Sequence, residues 1–396
     1  MPVDIHRART DTPGCESVLH FNNAGAALSP APVLETVIGH LRREAATGAY
    51  EAASEARDAL SRAYVSAARL VGGAADEIAF IENATRAWDM AFYGFDWKPG
   101  DRILTAQSEY VSNYIAYLQV ARRHGAEIVP VPDDADGQIS IDALESLVDA
   151  RTKLIAITHI PTNGGLVNPA ADVGRVARAH GIPFLLDACQ SIGQIPVNVD
   201  EIGCDMLSAT GRKYLRGPRG TGFLWVRRNW IDRLEPPFLD LHAAEWTGPD
   251  SYAIRPDARR FENWESYVAG RLGLGAAIDY ALALGLPAIR DAIYARATRL
   301  RAGLSAIPDA VLRDKGREKC GIVSFTMETH EAEAVKQALA AQRINVTVSS
   351  RGSTLLDMTE RGLETVVRAS VHYYNTDAEV DRFCAAIESL GRGPRI

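Results

Sequence analysis

Phe184-Leu185-Leu186-Asp187 and Ser208-Ala209-Thr210-Gly211-Arg212-Lys213 decide how this chain folds. The first is a short apolar run that ends on one chemically loaded residue, and the second leads to another just past a similar run. Asp187 closes the first run, and Lys213 follows the second after a tight turn, 26 positions later. Runs of this length, separated by helical pattern, read as neighbouring strands of a parallel sheet. A carboxylate and an amine held at the ends of two such strands can grip one aromatic ligand from both sides.

The same alternation extends outward. Strand-like runs recur at Glu77–Ile81, Arg102–Thr105, Glu127–Val131, Lys153–His159, Pro183–Asp187, Asp205–Ala209 and Gly222–Arg227. Helical segments separate them. In Ala170–His180, for example, Val173, Val176 and Ala177 share a face and Gly181 supplies the stop. The pattern predicts an α/β fold with a mostly parallel, seven-stranded sheet. Ligands of such sheets bind outside the carboxyl ends of the strands, where Asp187, Asn163 and Lys213 fall. Beyond residue 235 the pattern changes: Pro236-Pro237 and Thr247-Gly248-Pro249 mark loops, and an Ala/Leu-rich helix spans about Ser266 to Leu284. Strands at Gly321–Met327, Asn345–Ser349 and Val366–Ser370, with helices near Glu331–Gln342 and Asp377–Leu390, predict a smaller α/β unit. The expected division is a large domain over residues 20–260. Residues 1–19 and 261–396 then supply an N-terminal segment, a linking helix and a small C-terminal domain.

The bulk numbers exclude several function classes. At 396 residues the chain can bury a large core. A net charge of −7 argues against broad nucleic-acid or acidic-membrane binding, which needs concentrated positive charge. No uninterrupted apolar run is long enough to span a bilayer, and Met1–Arg7 shows no signal-peptide pattern. Five scattered cysteines, odd in number and never in Cys-x-x-Cys spacing, fit reduced thiols rather than disulfides or a metal site. The expected address is the cytoplasm.

The chemistry starts from Lys213 and Asp187. A Schiff-base lysine with an acidic partner for the pyridine nitrogen is the protein's share of pyridoxal phosphate chemistry. The turn Arg216–Gly222 lets backbone approach a ligand closely. Thr210 and Arg212 can hold phosphate oxygens by hydroxyl and guanidinium. Gln190 stands one helical turn after Asp187, either donating to the cofactor's phenolic oxygen or simply polar near a turn. Glu82–Trp88 follows a strand and opens a helix, so Thr85 and Asn83 either cradle a phosphate or cap the helix. Tyr110 opens the next helix and either stacks on the cofactor or packs in the core. Arg368 interrupts the β-branched run Val366–Val371, where a cation needs a substrate carboxylate or a structural ion-pair partner.

Taken together, these residues resemble the class V aminotransferase family of pyridoxal phosphate enzymes, which includes cysteine desulfurases, carbon–sulfur lyases and isopenicillin N epimerase-like proteins. The likeness runs from Phe21-Asn22-Asn23-Ala24-Gly25 to Arg368–Asn375, and rests on Asp187-x-x-Gln190, Thr210-Gly211-x-Lys213 and Arg368-Ala369-Ser370 followed by Tyr374-Asn375-Thr376. The resemblance implies fold type I and a homodimer with active sites at the subunit interface. It implies Lys213 as the catalytic Schiff-base lysine, Asp187 on the ring nitrogen, Gln190 on the phenolic oxygen and Arg368 on the substrate carboxylate. It places Asn163 near ring and substrate, brings Asn23 into the substrate site, and makes Ala84, Thr85, Thr210 and Arg212 a phosphate cup. Asn263 or Trp264 occupies the segment through which a neighbouring subunit adds to that cup. Many desulfurases carry histidine where Tyr110 and Arg212 stand, and a nucleophilic cysteine on the loop before the arginine. Here that loop, Ser349–Met358, has no cysteine, and Cys189 and Cys204 read as small buried apolar residues.

Three outcomes then compete for an amino-acid substrate: β-elimination of a sulfur leaving group to pyruvate and ammonia, transamination, or epimerisation. The cysteine-free loop favours a carbon–sulfur lyase over a persulfide-relaying desulfurase. A non-catalytic binding protein on the same fold is the remaining alternative.

Overall fold

A computed structural model describes residues 2–392. Seven strands form the main sheet: β1 (Ile78–Ile81), β2 (Arg102–Ala106), β3 (Glu127–Val131), β4 (Thr152–Thr158), β5 (Phe184–Asp187), β6 (Met206–Thr210) and β7 (Gly222–Val226). Their spatial order is β1-β7-β6-β5-β4-β2-β3, and every neighbouring pair from β6 to β3 is parallel. Only β7 runs against its neighbours. The strands of an α/β sheet are covered on both faces, which is why β1, β5, β6 and β7 are buried at every position and why β1 and β7 read as runs without a polar side chain.

A two-stranded hairpin, β8 (Ala244–Gly248) and β9 (Ser251–Ile254), stands largely exposed. A second, antiparallel sheet contains β10 (Ala310–Leu312), β11 (Ile322–Met327), β12 (Thr347–Ser350) and β13 (Thr365–Ser370), in the order β10-β11-β13-β12. The main helices are α1 (Ala31–Thr47), α2 (Arg57–Val71), α3 (Ala84–Phe92), α4 (Val111–His124), α5 (Ala170–His180), α6 (Val268–Leu284), α7 (Leu286–Ser305), α8 (Ala332–Ala341), α9 (Leu355–Glu360) and α10 (Asp377–Gly391). Among the described residues no single helix is long and apolar enough to cross a membrane; α6 and α7 reach that length only as a pair bent by 81°.

Helix α6 is the Ala/Leu-rich stretch of the sequence, starting two residues later than its pattern suggests. Its small residues serve close packing: added Cβ atoms at Gly273 and Gly275 would meet Val37 on α1 and Ala63 on α2 at 2.5 and 3.0 Å. Two elements depart from expectation. Asn345–Ser349 is not one strand, because Ile344–Asn345 pairs in parallel with Leu19–His20 while β12 pairs with β13. Helix α7 was hidden behind Gly285, although Leu286, Ile289, Ile293, Ala297, Leu300 and Leu304 fall on one buried helical stripe.

The N-terminal segment is tied to the second sheet and to the turn after Lys213 by buried polar groups. Arg216, fully buried at φ 62°, donates to Leu28 O at 2.8 Å, to Tyr373 Oη at 2.7 Å and to Thr12 Oγ1. Asn23 donates to Ser370 O at 2.7 Å and accepts from Tyr374 Oη.

Helix α5 packs so closely that a Cβ on Gly174 would lie 1.8 Å from the Ile202 carbonyl oxygen, whereas one on Gly39 in α1 meets nothing within 4 Å. Gly174→Ala is therefore expected to destabilise by about 1–3 kcal/mol. Gly39→Ala is expected to stabilise by about 0.5–1 kcal/mol. Urea unfolding of both variants checks the opposite signs.

Candidate functional site

Thr158, the last residue of β4, pairs with Asp187, the last of β5, which pairs in turn with Ser208, two residues before the end of β6. Asp187, at the end of β5, accepts from the Cys189 amide at 2.8 Å through Oδ1 and from Asn113 Nδ2 at 3.0 Å through Oδ2. Burial pushes its carboxyl above the ordinary range, while these two bonds and the Lys213 charge pull it back. Lys213 is buried three residues past β6, its Nζ 3.2 Å from Cys189 Sγ. Both line one small cavity.

The walls of that cavity come from four elements. Helix α3 contributes Ala84 and Thr85 at its first turn, and Asn83 caps the helix through Arg86 N at 3.0 Å. First-turn amides lack intrahelical partners and favour anions. Tyr110 and Asn113 come from the start of α4, Thr158 and Thr162 from the end of β4 and the loop beyond it. Cys189 and Gln190 follow Asp187.

Beside the cavity lies a cation without an anion. Arg368 on β13 donates to Thr162 O at 3.2 Å and to Thr162 Oγ1, its Nε has no partner, and no carboxylate lies within 4 Å among the described residues. Burial lowers it to about 10, so it stays charged at neutral pH. Other buried atoms without partners include Gln190 Oε1, whose amide nitrogen is bonded to Ala24 O at 3.0 Å, and Asn163 Oδ1. Buried polar groups rarely stay unpaired unless a ligand completes them. A carboxylate opposite a lysine, a helix start for phosphate and unpaired donors and acceptors fit pyridoxal phosphate together with an amino-acid carboxylate.

Not every expected residue reaches this cavity. Thr210 is buried with Oγ1 3.4 Å from Thr221 O, and Arg212 Nη1 lies 3.3 Å from Thr210 Oγ1, so this pair stands next to the lining rather than in it. The Asn23 side chain is consumed by its bonds to Ser370 O, His20 O and Tyr374 Oη, which makes it a structural tie. Asn263 lines a separate cavity with Glu82, Gly222 and Glu262, and Trp264 is half exposed beside it. Cys189 needs a correction: its thiol faces Lys213 inside the cavity and is not mere apolar filling. Glu109, Asn113 and Thr158 went unnoticed, although Glu109 and Asn113 lie four residues apart around Tyr110, the spacing of neighbours on one helix face.

The model of the family described as "Aminotransferase class-V" matches residues 19–383. The chain belongs to the class-V aminotransferase family. This membership makes it a pyridoxal phosphate-dependent enzyme. A probable cysteine desulfurase of Xylella fastidiosa (strain 9a5c) is 30% identical, the match covering 97% of this class-V chain and 95% of that protein. One of Methanothermobacter thermautotrophicus is 29% identical over 96% and 97%. Among solved structures, the apo cysteine desulfurase of Thermococcus onnurineus NA1 superposes with a TM-score of 0.92 at 27% identity, covering 99% of both chains. The cystine C–S lyase C-DES, at 23% identity, 97% and 100% coverage and a TM-score of 0.86, shows the fold in common.

Burial raises the Cys189 thiol above its ordinary value, with Lys213 opposing the shift. In this class-V chain, iodoacetamide labelling of Cys189 is therefore expected to be slow at pH 7, to quicken as pH rises, and to stop when pyridoxal phosphate is bound. Peptide mass spectrometry reads the labelling. Rapid labelling at neutral pH contradicts a raised thiol.

Proposed function

We propose that this enzyme cleaves the Cβ–S bond of a cysteine-derived amino acid by β-elimination, yielding a thiol, pyruvate and ammonia with no loop thiol receiving sulfur. The observation that carries this reading is the seating of the Ser349–Met358 loop. Thr354 and Met358 meet Asn163 Nδ2 at 3.0 and 3.1 Å, and the buried Asp357 takes Lys315 at 2.5 Å and Arg361 at 3.2 Å. The segment is held against the cavity edge and holds no cysteine. The relatives named cysteine desulfurases support a sulfur-containing substrate.

In this reading Arg368 binds the substrate carboxylate, supplying the pair its buried guanidinium lacks. Lys213 holds the cofactor at rest, then its freed amine takes the Cα proton. Bound pyridoxal phosphate supplies the electron sink for the Cα electron pair. Asp187 keeps the ring-nitrogen proton in place, and Gln190 faces the phenolic oxygen. Tyr110 would lie against the ring and Ala84 and Thr85 would hold the phosphate at the start of α3, with the Thr210–Arg212 pair just outside the lining. The leaving thiolate takes a proton, and water releases pyruvate and ammonia.

The same reading makes the protein a cytoplasmic homodimer, with residues 20–260 as the large domain and 1–19 with 261–396 as the remainder. Exposed Phe238, Leu241, Trp246, Tyr252 and Trp264 support an interface on that side, with Asn263 reaching the neighbour's phosphate cup. The five free thiols suit a reducing compartment.

Lys213→Ala is expected to lose the visible absorbance of bound cofactor and all turnover. Arg368→Lys is expected to raise KM by about ten- to hundred-fold, the loss of a charged bidentate contact worth about 1.5–3 kcal/mol. Incubation with L-cystine or a cysteine S-conjugate should release pyruvate. A new amino acid formed from an added 2-oxo acid, or loss of Cα chirality without pyruvate, would replace the lyase reading with transamination or epimerisation.

A further inference from the structure

Two buried carboxyl groups share one amide behind the cofactor cavity. Glu109, 3% exposed just before α4, gathers four donors: the Tyr110 amide at 2.7 Å, Asn113 Nδ2 at 3.0 Å, Thr105 Oγ1 at 3.1 Å and Thr158 Oγ1. Asn113 Nδ2 also reaches Asp187 Oδ2 at 3.0 Å. An amide nitrogen carries two hydrogens and accepts nothing, so these two bonds use both of them. The result is a row, Glu109–Asn113–Asp187, that ends at the cavity. No cation pairs with Glu109 among the described residues.

We propose that Glu109 is a positioning residue for the cofactor: through Asn113 it fixes the Asp187 carboxylate and sets a second negative charge behind it. The ring-nitrogen proton is then held by two carboxylates in series. This rests on the reading of Asp187 as the ring-nitrogen partner and goes beyond it by naming what orients and charges Asp187. The donor set supports the charged form, since the backbone N–H and the Asn113 amide can only donate. Burial pushes Glu109 up to about 7, Thr158 pulls it down and the Asp187 charge pushes it up again. The other titratable groups facing it are Asp187 on β5 and Tyr117 on α4, with Lys213 beyond Asp187. A cation bound at Asp187 favours the ionised form of Glu109, so cofactor affinity and Glu109 ionisation are linked.

In the cofactor-free protein Glu109 is a buried carboxyl with a raised pKa. The folded value lies above the ordinary 4.5, so the folded state holds this proton more tightly than the unfolded one. Stability contributed by Glu109 is present at low pH and lost as pH rises towards 7. Glu109→Gln removes that loss.

The test uses the full-length protein as wild type, Glu109→Gln, Asn113→Ala, the double variant and Asp187→Asn. Pyridoxal phosphate affinity is read by absorbance at pH 6, 7 and 8, the melting midpoint of cofactor-free protein from pH 5 to 8, and kcat and KM separately. The expectation for Glu109→Gln is an affinity deficit that grows about tenfold from pH 6 to 8. Its kcat should fall about tenfold with KM within about threefold, and its midpoint should gain on wild type as pH rises from 5 to 7. Asn113→Ala should lose affinity too, and the double variant no more than the worse single one, because both act through one row. If Glu109→Gln misfolds, Asn113→Ala at pH 6 and 8 carries the same expectation, a deficit larger at pH 8. Wild-type behaviour of Glu109→Gln, or additive losses, with Asp187→Asn impaired, overturns this inference alone. An unimpaired Asp187→Asn overturns the ring-nitrogen reading with it.

Discussion

Everything at the site depends on the register of three parallel strands. Because Thr158, Asp187 and Ser208 are paired across β4, β5 and β6, one edge of the sheet presents a hydroxyl and a carboxylate in a row. Lys213 then needs only the short turn after β6 to meet them. A slip of one residue in β5 would turn Asp187 into the opposite layer and dissolve the arrangement. The antiparallel β7 closes the same edge from the other side. Gly222 at its start lies so near that a Cβ would sit 2.5 Å from the Ala209 carbonyl, which is why a side chain is missing there.

The second constraint is electrostatic. Asp187, Glu109, Lys213 and Arg368 are all buried within one small region, and burial alone pushes each carboxyl up and Arg368 down. A cavity that concentrates such groups without pairing them is built for a ligand that carries the missing charges. The N-terminal segment serves this arrangement from a distance. Arg216 and Asn23 bind it to both ends of the chain, and the Ala24 carbonyl it carries receives Gln190 at the cavity wall.

How much of this was legible in the sequence depended on contrast. Asp187 and Lys213 stood out because each interrupts or closes an apolar run, and Arg368 because a cation within β-branched residues demands a partner. Their strands were readable for the same reason: burial on both faces leaves short apolar stretches such as Phe184-Leu185-Leu186. Glu109 and Asn113 gave no such contrast, since polar residues at a helix start look like caps whatever they bind. Cys189 resembled filling because a thiol and a small apolar side chain are interchangeable in composition, and only the 3.2 Å approach of Lys213 separates them. Asn23 misled in the opposite direction, sitting in a family-like stretch while spending its amide on backbone. The break at Val346 was invisible because it arises from pairing with Leu19–His20, more than three hundred residues away.

The central claim is that Lys213 is the residue through which this chain holds its cofactor. Borohydride reduction of the pyridoxal phosphate-loaded protein, followed by peptide mass mapping, tests it most directly by fixing the cofactor to whichever amine carries it. The reduced cofactor is expected on the peptide containing Lys213 and on no other. Its recovery on Lys98, Lys153, Lys315, Lys319 or Lys336, with Lys213 unmodified, would contradict it.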